Sequence, residues 1–222
     1  MYWSDEAFLL SKNYFKENSL IIEIFTLNYG KCSGIVYGGL SRKQKKNFQV
    51  GNKFMVHCKS RNENSIGYFT AELINPISPL YFDDKLRSIS ILSASTLLKI
   101  LLPERQINSK IYLSFENLLN NIGSDEWINM YIFWELSLIR ELGFDINISD
   151  NAHILNNKNL IKINEKFHKI PELILTSNVK TNTNAKIKEA LFFNKNILIE
   201  NFIEPNRLRF PYSRNILEKY FN

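Results

Sequence analysis

The chain of 222 residues has few cysteines and no long apolar segment. Cys32 and Cys58 are its only cysteines, whereas a small disulfide scaffold uses several pairs, so both thiols are predicted to be reduced and packed. No apolar run approaches the roughly 18 residues of a membrane span. Residues 1–11 lack the basic start and the apolar run of a signal peptide, and we therefore expect a cytoplasmic protein that does not enter a membrane.

Catalytic and cofactor-binding motifs are also missing. The sequence contains no Gly-x-Ser-x-Gly motif, no phosphate-binding P-loop and no HExxH motif. Asp83 and Asp84 precede a predicted helix, where carboxylates act as caps, and Asp5 and Glu6 lie at the entry to a predicted strand. These patterns favour a binding protein over an enzyme, and they predict neither a cofactor nor a metal.

Acidic residues are absent between Glu23 and Glu63, although eight Lys and Arg residues lie there. The formal net charge of +6 is unevenly distributed, with +4 over residues 1–80, −3 over residues 81–146 and +5 over residues 147–222. A regional excess of positive charge indicates an anionic partner at particular surfaces.

The first 75 residues read as five strands. Each is rich in β-branched and aromatic residues, and the separators carry Gly, Asn or Ser. The five runs are EAFLLSKNYF, SLIIEIFTLNYG, KCSGIVYGG, NKFMVHCKSR and SIGYFTAELI. This count fits a closed barrel of the OB type, and an SH3-like barrel gives a similar pattern.

Helical periodicity begins after Pro76 and Pro79. Helices are predicted within residues 83–103, 109–123 and 124–143, and a last helical segment within residues 185–204. Residues 145–182 are polar and are predicted to be irregular. The fold class is therefore α+β, with an OB-type domain over residues 1–79 and an α-helical domain over residues 80–222.

The predicted connection between the third and fourth strands is strongly basic. Arg42, Lys43, Lys45 and Lys46 lie within five residues, and such a charge run is often only a solvated turn. Further cations on neighbouring strands, Lys53, Lys59 and Arg61, extend this one, and the aromatic residues Tyr37 and Phe48 flank it. Positive charge that follows a backbone, with aromatic rings on which bases stack, is typical of single-strand binding.

Several motifs in this order resemble the RecO recombination-mediator proteins of bacteria. They are an acidic pair at residues 5–6, E-N-S at 17–19, F-T-L-N-Y-G at 25–30, S-R-K at 41–43 and Q-V-G-N at 49–52. The similarity continues in GYFTAEL at 67–73, LLPER at 101–105 and WELSLIRELGF at 134–144.

The resemblance implies an OB fold followed by a helical domain. It also implies a protein of DNA repair and recombination that binds and anneals single-stranded DNA, binds duplex DNA, and helps to load recombinase at gaps in the bacterial nucleoid. The implied protein partners are RecR and the acidic C-terminal tail of the single-stranded-DNA-binding protein. The four loop cations are the implied DNA contacts, with Lys12, Lys53, Lys59 and Arg61 as weaker candidates.

One feature departs from the family pattern. Many members carry a four-cysteine zinc site after the segment that matches WELSLIRELGF, whereas residues 145–170 contain no cysteine. A structural zinc site needs four thiolates or imidazoles at paired short spacings, and His153 and His168 stand alone there. We therefore expect no zinc, and a shortened or mobile loop held by packing.

The implied tail peptide needs an apolar pocket rimmed by cations. Arg140, at the end of a predicted helix, is one candidate rim residue, although a solvated charge that offsets the helix dipole is the simpler explanation. Arg207, Arg209 and Arg214 form a second candidate surface for the tail or for DNA. A protein-interaction adaptor that touches DNA only incidentally remains the alternative function.

Overall fold

The computed structural model describes residues 1–62, 65–144, 152–153, 160–163, 166–176 and 183–221. The chain forms two compact units, residues 1–120 and residues 121–222, which are described separately below. The first contains a β-barrel and two helices, and the second contains helices and a small sheet.

Five strands close into a barrel in the order β1-β2-β3-β5-β4. Neighbouring strands are antiparallel, except that β3 and β5 run parallel. The strands are β1 (Tyr2–Phe15), β2 (Ser19–Thr26), β3 (Gly30–Tyr37), β4 (Lys53–Lys59) and β5 (Gly67–Asn75). The predicted five-stranded OB-type barrel is thereby confirmed.

Alternation of side chains along the strands builds the barrel core. In β4, Phe54, Val56 and Cys58 are buried, whereas the residues between them face outward. Strand β1 pairs with β4 over residues 2–8 and with β2 over residues 7–15, and a register shift between Leu9 and Ser11 interrupts the pairing with β2. Such a bulge bends a strand, which lets β1 close the barrel.

Two helices pack in the first unit. They are α1 (Lys85–Leu101) and α2 (Ser109–Asn120). Asp84 caps α1 as predicted, since its carboxylate accepts a hydrogen bond from the backbone N–H of Arg87 at 3.0 Å. The Phe8 ring, on the barrel, lies 5.2 Å from the Phe115 ring of α2, centroid to centroid. These contacts place residues 80–120 with the barrel, whereas the sequence alone suggested a division near residue 79.

The second unit contains four helices among its described residues. They are α3 (Trp127–Glu141), α4 (Glu172–Thr176), α5 (Asn184–Leu198), which continues as a π-helical turn (Ile199–Ile203), and α6 (Tyr212–Lys219). Gly143, with φ of 96°, follows α3, as expected for a helix end. Trp127, Tyr131 and Trp134 of α3 are buried as predicted.

The prediction that residues 145–182 are irregular is wrong for part of this segment. Three short strands form an antiparallel sheet: β6 (Ala152–His153), β7 (Leu160–Ile163) and β8 (Lys166–Lys169). Ile161 and Ile163 of β7 are buried, so this sheet has an apolar side of its own. The predicted shortened loop falls largely on residues 145–151 and 154–159, which lie outside the described residues.

In the described part of the chain, no helix combines the length and the apolar character needed to cross a membrane.

Candidate nucleic-acid interface

The connection between β3 and β4, residues 38–52, is a compact series of turns and is called the basic loop below. The backbone N–H of Ser41 donates to the Gly38 carbonyl at 3.0 Å, and that of Lys45 donates to the Ser41 carbonyl at 2.9 Å. The N–H of Asn47 donates to the Gln44 carbonyl at 2.9 Å. Consecutive turns of this kind hold the loop in one conformation.

The second half of the loop is anchored in the barrel. The Phe48 ring is 1% exposed and stacks on Phe54, with centroids 5.2 Å apart and an interplanar angle of 11°. The side chain of Asn52 donates to the Asn47 carbonyl at 2.9 Å and accepts from the Ser78 N–H at 3.0 Å. The prediction that bases stack on Phe48 is therefore wrong, because this ring fills the barrel core.

Gly51 fixes the end of the loop. Its φ is 88°, and a Cβ placed there would lie 2.3 Å from Cγ2 of Ile91. Both the backbone conformation and the lack of space require glycine at this position.

The four loop cations face solvent. Arg42, Lys43, Lys45 and Lys46 are all exposed, and none makes an ion pair with a carboxylate among the residues that the structure describes. The stretch of sequence around them contains no acid, which explains this absence of local neutralisation. The loop thus presents concentrated positive charge on a fixed scaffold.

Lys12 joins this group from β1. Its Nζ donates to the Phe48 carbonyl and lies 3.5 Å from Oε1 of Gln49. Partial burial and repulsion by Lys45 lower the pKa of Lys12. An anion bound nearby would relieve that repulsion.

Lys53, by contrast, is already paired. Its Nζ contacts the Glu6 carboxylate and lies 2.6 Å from Oε1 of Glu116. Although burial alone lowers the pKa of Lys53, its hydrogen bonds with Glu116 and Glu6 raise it overall. The structure thus corrects the expectation that Lys53 faces a phosphate, because this ammonium group joins β4 to α2.

The remaining predicted residues of the barrel are exposed. Lys59 ends β4, Arg61 follows it, and Tyr37 ends β3. Tyr37 stacks on Tyr68 of β5, with ring centroids 5.3 Å apart. The sequence analysis missed Tyr68, although the alternation in GYFTAEL puts it on the opposite face from the buried Phe69.

In the second unit the four predicted arginines divide into two groups. Arg140, Arg207 and Arg209 are exposed. Arg214 is 0% exposed, and its Nε and Nη2 lie 2.5 and 3.0 Å from the two carboxylate oxygens of Glu135. The prediction that Arg214 lies on a partner-binding surface is therefore wrong, because its charge is buried in an ion pair.

Candidate metal ligands do not gather in the residues that the structure describes, where no three His, Cys, Asp or Glu side chains come together in a way that could hold a metal ion. His168 is described, and its Nε2 lies 3.3 Å from Oε2 of Glu200.

Comparison with known proteins gives consistent matches. The profile described as "Recombination protein O N terminal" matches residues 1–77, and "Recombination protein O C terminal" matches residues 83–192. The chain is 31% identical over 167 residues to a "DNA repair protein RecO" of Roseobacter denitrificans, covering 75% of this chain and 69% of that protein.

Two further relatives bear the same description. The protein of Wolbachia pipientis subsp. Culex pipiens is 31% identical over 154 residues, and that of Jannaschia sp. is 32% identical over 152 residues. Each match covers 68% of this chain, but only 63% and 62% of the respective relatives, which is less than two thirds of their length.

Proposed function

The chain belongs to the RecO family of DNA repair proteins, and from this premise we propose that it binds and anneals single-stranded DNA as a recombination mediator. In this role it helps to load recombinase at gaps that are coated by single-stranded-DNA-binding protein. It acts at the bacterial nucleoid by binding, without catalysing a reaction. Residues 1–79 form its DNA-binding domain.

The fixed, unneutralised charge of the basic loop carries this proposal. Phosphates of a single strand release condensed counterions when Lys or Arg neutralises them, and the affinity then falls with salt by a logarithmic slope of about −0.7 per phosphate. Arg42, Lys43, Lys45 and Lys46 are exposed together on one loop. They supply the sequence-independent attraction that an annealing protein needs, and the same attraction acts on duplex DNA.

The protein partners are proposed from the family resemblance and from exposed arginines of the second unit. RecR and the acidic tail of the single-stranded-DNA-binding protein are the partners that the family resemblance implies. The exposed Arg140, Arg207 and Arg209 are suited to an acidic peptide because their positive charges attract its carboxylates.

A salt series with a labelled oligonucleotide tests the proposal. If four to six phosphates are neutralised, the logarithm of the binding constant falls with the logarithm of salt at a slope of about −3 to −4. Replacing the four loop cations by alanine should flatten this slope by nearly 3 units. The affinity at low salt should fall as well.

A charge-matched variant provides the control. It removes four exposed lysines outside the loop, and so lowers the net charge equally; they are Lys85, Lys110, Lys188 and Lys219. This control should retain most of the wild-type slope. If the two variants changed the slope equally, only net charge would matter, and the assignment of the loop would be refuted.

A labelled acidic peptide separates the mediator from the adaptor. An adaptor would bind the peptide tightly and DNA weakly, and would respond to Arg140→Ala but not to changes in the loop. Tight, salt-sensitive binding of the oligonucleotide that depends on the loop supports the mediator.

A further inference from the structure

Two tyrosines form an exposed stack on the outside of the barrel. The rings of Tyr37 and Tyr68 lie 5.3 Å apart, centroid to centroid, with an interplanar angle of 17°. Tyr37 is 64% exposed and Tyr68 is 48% exposed. Interaction with the Tyr68 hydroxyl raises the pKa of Tyr37.

The strand register extends this stack into a row. Lys59 of β4 lies directly opposite Tyr68 of β5, and Tyr2 of β1 lies directly opposite Lys59. Residues opposite one another in neighbouring strands share one face of the sheet. Tyr2 is 71% exposed and Lys59 is also exposed. The four residues Tyr2, Lys59, Tyr68 and Tyr37 are called the tyrosine platform below.

Positively charged residues lie close to the platform in sequence. Tyr37 is the last residue of β3, and the basic loop begins at the next residue, Gly38. Arg61, also exposed, lies two residues beyond Lys59. Two stacked rings, one cation and a third ring therefore follow one another across neighbouring strands, and the charged loop follows Tyr37 in sequence.

This arrangement favours a particular occupant. Exposed aromatic rings beside cations attract groups that combine a flat π-face with negative charge, which is the chemistry of an unpaired nucleotide. The bases of a duplex are stacked on one another and paired, so their faces are not available to exposed rings on the barrel surface. The chemistry of the surface therefore matches a single strand better than a duplex.

We propose that the tyrosine platform stacks unpaired bases of a single strand whose phosphates are held by the basic loop. This inference rests on the proposed function, because it assumes that the loop binds DNA. It assigns a separate role to the rings: the loop binds any polyanion, whereas the platform distinguishes a strand that carries accessible bases. Such a division lets the protein hold single strands and release them once they pair.

Two oligonucleotides of equal length and charge test the platform. One is an oligothymidylate, and the other is a chain of abasic sugar-phosphates. The wild-type protein should bind the thymidylate about 5- to 150-fold more tightly for each base that stacks. The double variant Tyr37→Ala/Tyr68→Ala should bind both with nearly the same affinity, while its salt slope stays as in the wild type.

Two matched variants complete the design. Tyr37→Phe/Tyr68→Phe keeps both rings and should keep the preference for bases. Tyr220→Ala removes a tyrosine of similar exposure, 46%, from the second unit, and should also keep that preference. Thermal denaturation of all variants verifies that they fold.

The outcomes separate this inference from the proposed function. A wild-type protein that binds both oligonucleotides equally, with a steep salt slope, refutes the platform alone. A double alanine variant that keeps the preference for bases, or that loses only the binding of an acidic peptide, also refutes it. A wild-type protein that binds neither oligonucleotide overturns the proposed function and the platform together.

Discussion

Removing the buried guanidinium of Arg214 should strongly destabilise the second unit. This side chain is fully buried, and three hydrogen bonds hold it. Two connect it to the Glu135 carboxylate, and the third runs from Nη2 to the Leu191 carbonyl at 2.7 Å. Although burial alone lowers the pKa of Arg214, attraction by Glu135 raises it, so the guanidinium keeps its charge inside the unit.

The magnitude follows from what Arg214→Met leaves behind. Glu135 is also 0% exposed; it would lose both hydrogen bonds from the guanidinium and keep the one that the Asn194 side chain donates to it at 3.2 Å. Breaking one side of a buried ion pair costs about 3–5 kcal/mol. Since folded domains are stable by only about 5–15 kcal/mol, this loss is a large part of the total. With a slope of about 2 kcal/mol per molar urea, the unfolding midpoint should fall by about 2 M.

Urea denaturation followed by tryptophan fluorescence measures this effect, because Trp127 and Trp134 lie in the same unit. The double variant Arg214→Met/Glu135→Met should be far closer to the wild type, since exchanging a buried pair for apolar groups is often neutral. The exposed Arg209→Met serves as the control. If Arg214→Met unfolded within about 0.5 M of the wild type, the ion pair would carry no such stabilisation, and the reasoning would fail.

Two further predictions concern titratable groups in the first unit. Although burial alone raises the pKa of Glu23, hydrogen bonds from Lys99 and Ser11 lower it below its usual 4.5; the Lys99 ammonium lies 2.6 Å away. A lowered pKa in the folded state stabilises the protein above pH 4.5 and loses this effect as the pH falls through the folded pKa. The difference in melting temperature between wild type and Glu23→Gln should therefore shrink on acidification below that value, whereas a constant difference would contradict the assignment. Burial raises the pKa of Cys32 to about 12, so the thiolate fraction at pH 8 is on the order of 10⁻⁴. A thiol reagent should leave the native protein unlabelled and react after unfolding, and rapid native labelling would show that the thiol is accessible.

Local patterns were sufficient to predict the barrel. The run NKFMVHCKSR is predicted to be a strand, and the structure forms β4 there, with Phe54, Val56 and Cys58 buried along one face. The start of α1 could also be predicted from nearby residues, because the carboxylate of Asp84 caps the helix by accepting from N–H groups of the first turn. Features fixed within a few residues can be predicted from a single sequence.

The errors at the candidate site have a different cause. Arg214 is buried because Glu135, 79 residues away, neutralises it, and Lys53 is paired because Glu116 lies on a helix 63 residues away. Phe48 lies within the basic loop and Tyr37 directly before it, and a loop has no period that tells an inward ring from an outward one. Ion-pair partners far away in sequence explain the errors at Arg214 and Lys53, and the irregular backbone of the loop explains the error at Phe48.

The small sheet of the second unit was missed because its signal is weak. Its strands span only two, four and four residues, which is too short to show a clear alternation. Asn and Lys between them suggested a solvated segment instead.

The anchoring of Phe48 has a consequence for how the loop tolerates change. Residues 48–52 are fixed by a ring in the barrel interior, by the Asn52 side chain and by a glycine without room for a Cβ. Insertions after Phe48 would have to disturb these buried contacts. Insertions before Phe48 would only lengthen the solvent-exposed part of the basic loop. Changes in the number of loop cations should therefore disturb the fold least in residues 38–47, between Tyr37 and Phe48.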